Sequence, residues 1–126
     1  MHALVVTDSV HTTAAACDYL DSRLESDDRV SVIATAQPDT RDADDALNVA
    51  NARLLGHAEI ETERLVLDAD EEVTSAIFGA VEERDPDIVV VGKHADGPNG
   101  DPSLGSAARA LIEAATVPVV VVPVEE

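Results

Sequence analysis

Short β-branched runs alternate along this chain with segments whose apolar residues recur at helical spacing, which restricts the fold to a succession of βα units. Ala3-Leu4-Val5-Val6-Thr7 is a first strand, closed by Asp8-Ser9. A helix follows from Thr12 to about Glu25, with Ala14, Cys17, Leu20 and Leu24 as its inward stripe. Val30 to Thr35 is a second strand, and Pro38 breaks it. Arg41 to Gly56 reads as a helix carrying Ala43, Ala46, Leu47, Ala50 and Leu54 on one face, with Gly56 at the C-terminal cap. Ile60 to Leu67 alternates in polarity as an edge strand does. Asp70 is placed to cap a helix from Glu71 to Arg84, whose stripe is Val73, Ala76, Ile77, Ala80 and Val81, and Pro86 ends it. Asp87 to Gly92 is a fourth strand, apolar on both faces as a helix-covered parallel sheet requires. A polar loop runs to Leu104, a last helix spans Gly105 to about Ala115, and Val117 to Val122 is the fifth strand.

The expected fold is α/β: a single doubly wound, five-stranded parallel sheet with helices on both faces. A chain of 126 residues fits one domain, with no repeat and no linker, so residues 1–126 are read as one unit. Its core is built from small residues, 20 Ala and 18 Val against one Phe, one Tyr and no Trp. In such sheets ligands bind beyond the carboxyl ends of the strands, where strand order reverses. The positions to examine are therefore Asp8, Thr35, Asp68 and the loop after Gly92.

Composition excludes several classes of function. Eight basic residues face 26 acidic ones, so no basic patch exists to displace counterions from nucleic acid. One Phe and one Tyr make no stacking platform for single strands. No apolar run approaches the ~20 residues that span a bilayer. Met1-His2-Ala3 leads straight into a strand-like run without a basic leader, so the expectation is a soluble, cytoplasmic protein without membrane or nucleic-acid partners. A lone Cys17 excludes an internal disulfide and a cysteine-based zinc site, and His2, His11 and His57 lack metal-ligand spacing. The formal charge of -18 is spread along the chain, with Lys93 the only lysine. That scatter resembles proteins of salt-accumulating halophiles, and only Asp39 to Asp45 forms a weak cluster of the kind a basic partner would meet.

The loop after the fourth strand is the most informative stretch: Gly92-Lys93-His94-Ala95-Asp96-Gly97-Pro98-Asn99-Gly100-Asp101-Pro102-Ser103-Leu104-Gly105-Ser106. A Gly-Ser pair opening a helix offers free N–H groups, a hydroxyl and the positive end of the helix dipole to an anion. Spacing alone leaves two readings open, a phosphate cradle or a surface loop whose glycines make turns. The pattern is neither a Walker loop nor a dinucleotide fingerprint.

Asp8 after the first strand, the strand Asp87 to Gly92, Gly105-Ser106 and the closing Val117-Pro118-Val119-Val120-Val121-Val122-Pro123 together resemble a universal stress protein. That family's nucleotide motif is a glycine, two residues, a second glycine, nine residues, then Gly-Ser or Gly-Thr. Counted from Gly92, the register reaches Ala95 and then Gly105-Ser106. One position departs, since Ala95 stands where the second glycine belongs, and Gly97 to Gly100 leaves the wrong distance to Gly105. The loop also carries Asp96 and Asp101, with Lys93 and His94 as its only cationic candidates. An aspartate ~6 Å from a phosphate charge costs about 0.7 kcal/mol at water's dielectric constant, and at molar salt a screening length of about 3 Å removes most of it.

The resemblance implies an adenine-nucleotide α-hydrolase-like sheet that binds ATP, with or without Mg2+. It assigns Asp8, with Thr7 beside it, to the adenosine, Thr35 to the adenine side, and Gly92 and Ala95 to the approach to ribose and phosphates. Gly105 and Ser106 would hold phosphate oxygens. It further implies a homodimer paired through the strand Val117 to Val122. Asp8 and Asp68 also suggest a receiver domain's acidic pocket, but that fold needs a lysine ending the fifth strand, where Pro123 stands. Asp8-Ser9 with His11 lacks the nucleophile elbow of a hydrolase.

The resulting expectation is an ATP-binding stress-response or signalling domain acting as a homodimer, with slow hydrolysis at most, because no base, metal set or arginine finger is in view. Two readings from other classes stay open. One is a nucleotide-free dimeric interaction module of the same fold. The other is an adenylyl-transfer enzyme of the α-hydrolase superfamily, which would release AMP or pyrophosphate with an acceptor.

Overall fold

The strand His2–Thr7 (β1) is flanked on both sides by parallel neighbours, one being Arg29–Ala36 (β2) and the other Ile88–His94 (β4). A computed structural model of the chain describes residues 1–7, 10–36, 42–54, 56, 58–66, 70–94 and 117–124. Beyond β2 lies Glu59–Val66 (β3), and beyond β4 lies Val119–Val124 (β5). The order is β3-β2-β1-β4-β5 and every pairing is parallel. The expected five-stranded parallel sheet is therefore the observed one. Successive strands step one way from β1 to β3, then the chain crosses back and β4 and β5 are added on the other side, so the order reverses between β1 and β4.

Helices cover both faces because the strands carry apolar side chains on both. Ala3 and Val5 of β1, Val30 and Val32 of β2, and Val90 and Val122 pack against Ala16, Cys17 and Leu20 of the helix Val10–Asp21 (α1) and Ala50 and Leu54 of the helix Asp42–Leu54 (α2). Leu4, Val6, Ile33, Val89 and Val91 face the other way, against Ile77 and Ala80 of the helix Asp70–Arg84 (α3). Most of these side chains are at most 2% exposed. Small residues at the helix contacts let the layers approach closely, which suits a core poor in aromatics.

The element ends depart from the sequence expectation where capping groups intervene. α1 begins at Val10 and ends at Asp21, four residues before the expected Glu25. Leu20 C=O accepts N–H bonds from both Arg23 (2.8 Å) and Leu24 (3.0 Å), tightening the last turn. The Asp28 carboxylate then takes the Glu25 N–H at 2.8 Å and turns the chain toward β2. Leu24 still packs on the core from outside the helix. The inward face of α1 is Thr12, Thr13, Ala16, Cys17 and Leu20; Ala14, expected there, is only half-buried.

Gly56 has φ 87°, the left-handed residue expected after α2. Asp85 takes the same role after α3, with φ 48° and its N–H on Val81 C=O at 3.0 Å, so it ends that helix before Pro86. Asp70 belongs to α3 rather than preceding it. β5 is Val119–Val124, two residues later than expected: pairing opens with Val89 N–H on Pro118 C=O and runs to His94 opposite Val124. The last helix, read at 105–115, lies outside the described residues.

Candidate functional site

Strand register builds a step at the carboxyl end of the sheet. Thr7, the last residue of β1, is opposite Ala34 of β2, and β2 continues two residues further, to Ala36. On the other side Val6 is opposite Val91, which sets Thr7 level with Gly92, and β4 again continues for two residues, Lys93 and His94. Strand β1 thus stops short between two longer neighbours, at the point where strand order reverses. A strand end set between two longer neighbours, where strand order reverses, is the position doubly wound sheets use for ligands.

The sequence-derived site residues fall around this step. Thr7 forms its floor, fully buried. Gly92 is buried in β4, one strand over, and is paired with Val122 of β5. Thr35 lies in β2 one residue beyond the level of Thr7, opposite Leu65 of β3. Asp8, Ala95, Gly105 and Ser106 lie outside the described residues, as does Asp68. The fold therefore brings Thr7, Thr35 and Gly92 to one end of the sheet, on three adjacent strands.

Two residues that the helical pattern did not single out stand beside them. Thr12 and Thr13 of α1 are 0% and 1% exposed, and Thr13 Oγ1 lies 2.8 Å from Thr7 Oγ1. Thr7 shares the face of β1 that carries Ala3 and Val5, which is the face α1 covers. The available signal was the pair of threonines in the first turn of an otherwise apolar helix stripe, where a hydroxyl must find a partner once buried.

The described arginines are committed elsewhere. Among the described residues every arginine is held locally: Arg29 by Glu59, Arg53 by Asp18 and Asp21, Arg64 by Asp44, and Arg84 by Glu61 and Glu63. Arg23 lies over the Tyr19 ring and donates to Tyr19 C=O. Any anion at this end of the sheet would thus rely on backbone N–H groups, hydroxyls and helix dipoles rather than on these guanidiniums. Among the described residues no group of three or more His, Cys, Asp or Glu could hold a metal ion, and no helix is long and apolar enough to cross a membrane. Burial pushes the Cys17 thiol up to about 11, so it is a core side chain and not a nucleophile.

The family profile for "Universal stress protein family" matches residues 1–123. The chain belongs to the universal stress protein family. Solved structures agree on the fold of this universal stress protein domain. The hypothetical protein MJ0577, a structural-genomics test case for assigning biochemical function from structure, is 16% identical with a TM-score of 0.72, over 99% of this chain and 96% of that one. A universal stress protein in complex with cAMP is 18% identical, TM-score 0.65, over 98% of both chains. The universal stress protein from Archaeoglobus fulgidus is 22% identical, TM-score 0.61, over 97% of this chain and 98% of its own. No curated protein sequence gives a significant match.

Proposed function

We propose that this universal stress protein binds an adenine nucleotide, ATP with or without Mg2+, at the β1/β4 switch point, and that binding serves a stress-response or signalling output. The observation that carries the reading is the recessed end of β1, with Thr7 at its floor, Thr35 on one side and Gly92 on the other. Supporting it, the sequence after β4 keeps the family's nucleotide-motif spacing from Gly92 to Gly105-Ser106, with Ala95 at the departing position. A solved relative of the same family holds cAMP. Asp8 follows Thr7 directly and would accept hydrogen bonds from the adenosine, and Gly105 and Ser106 would take phosphate oxygens.

The active unit in this reading is a cytoplasmic homodimer joined through β5. Its edge position and its uncharged sequence, Val119 to Val124, favour that surface, and Val121 is 40% exposed there. The opposite edge, β3, is lined by exposed Glu59, Glu61, Thr62, Glu63 and Arg64, which discourage strand addition.

The test begins with protein purified in multimolar KCl, denatured, and its released nucleotide identified by chromatography and mass spectrometry. ATP near one per chain, lost in Asp8→Ala and Ser106→Ala, is the expected result. Folded protein that neither carries nucleotide nor binds added Mg-ATP would refute it and leave a nucleotide-free dimeric module, the reading that Ala95 favours. Release of AMP or pyrophosphate with an acceptor would instead indicate adenylyl transfer.

A further inference from the structure

We infer that Thr13 is a positioning residue for the nucleotide site, acting through Thr7; the inference rests on the nucleotide reading of the β1/β4 crevice. The two hydroxyls meet at 2.8 Å, both side chains being at most 1% exposed. Thr7 ends β1 and Thr13 sits in the first turn of α1, so their bond joins the two elements on either side of the connection that carries Asp8. Only positions 8 and 9 separate β1 from α1. The end of β1 and the first turn of α1 are thus held together by a direct hydroxyl bond as well as by packing.

The bond also fixes rotation. Apolar contacts of Ala16, Cys17 and Leu20 seat α1 on the sheet but tolerate small sliding and turning of the helix. A hydroxyl pair is satisfied over a much narrower range of distance and angle. It therefore selects one setting of the first turn of α1 relative to the end of β1. If only part of the population holds that setting, apparent nucleotide affinity falls by the same fraction. Thr13 is thus a positioning residue, with no contact to the ligand required.

The experiment measures ATP affinity calorimetrically in multimolar KCl for the wild type, Thr13→Val, Thr13→Ser, Thr7→Val and the Thr7→Val/Thr13→Val pair, with circular dichroism confirming each fold. Thr13→Val keeps the volume and removes the hydroxyl; Thr13→Ala replaces it if that variant does not fold. The expected result is roughly tenfold weaker ATP binding in Thr13→Val, restoration in Thr13→Ser, and no further loss when Thr13→Val is added to Thr7→Val. Amide exchange over residues 10–13 of the nucleotide-free protein should quicken in Thr13→Val. Wild type that binds ATP while Thr13→Val binds equally well, or a double variant whose losses simply multiply, would overturn the inference alone. Wild type that binds no nucleotide would overturn the proposed function and this inference with it.

Discussion

The Asp28 carboxylate accepts the Met1 ammonium at 2.8 Å through Oδ1, tying the start of β1 to the turn that leads into β2. Its Oδ2 takes the Glu25 N–H, also at 2.8 Å. One nearly buried carboxylate thus closes the amino-terminal end of the sheet, opposite the end where β1 recedes. The hydrogen bond from Met1, then that from Glu25, holds the Asp28 carboxyl below its ordinary 3.8, and the bond to Asp28 holds the Met1 ammonium above its ordinary 8.0.

The signs give a bounded pH window. The lowered acid contributes stability above pH 3.8 and loses it as pH falls through the depressed value. The raised ammonium contributes fully below pH 8.0 and loses it as pH rises through the elevated value. The difference in urea midpoint between wild type and Asp28→Asn should therefore be largest between these limits and shrink on both sides. A difference independent of pH would show that the pair does not act through its charges.

Salt should stabilise this protein strongly. A charge of -18 on 126 residues repels itself, and among the described residues the arginines neutralise only part of it locally. Raising KCl from tenths of molar to several molar shortens the screening length from about 10 Å to 3 Å or less. The melting temperature should climb across that range, more in KCl than in an osmotically matched sugar. A flat melting temperature would argue against the halophile-like reading of the acidic surface.

Opposite treatment of the two sheet edges predicts where association occurs. Val121→Lys on β5 should convert a homodimer to monomer in light scattering, whereas Thr62→Lys on β3 should leave its mass unchanged. Dissociation by the β3 change and not by the β5 change would move the interface to the other edge.

Cys17 should resist thiol reagents in the native state. It is 2% exposed within the α1–sheet contact, and burial raises its pKa to about 11. Labelling by a disulfide reagent at pH 8 should proceed at the rate of unfolding, and Cys17→Ser should cost about 1–3 kcal/mol by burying a hydroxyl among apolar neighbours. Rapid labelling of folded protein would place the thiol in a mobile part of the core.

Much of this architecture is local information. Alternation with period two and apolar recurrence at 3.6 are properties of neighbouring residues, so strands around Val5, Val32 and Val90 and a helix around Ile77 could be read directly. Gly56 and Pro86 marked helix ends for equally local reasons, although the left-handed residue before Pro86 is Asp85. Helix α1 was overrun by four residues because the group that turns the chain, Asp28, accepts from Glu25 and Met1, and Met1 lies 27 residues away. Asp8 was legible from its place after the first strand, and Ala95, Gly105 and Ser106 through motif spacing; all four lie outside the described residues.

By itself the sequence determined the number and kind of strands, their apolar faces and the acidic surface, because each follows from side-chain chemistry at short range. Only the tertiary structure decided the order β3-β2-β1-β4-β5, the register that leaves β1 two residues short, and the meeting of Thr7 with Thr13. Those depend on which strand each valine run chose as a neighbour and on where α1 came to rest. Valine runs of similar length and polarity carry no local label that makes the choice; packing of the whole sheet against its helices does.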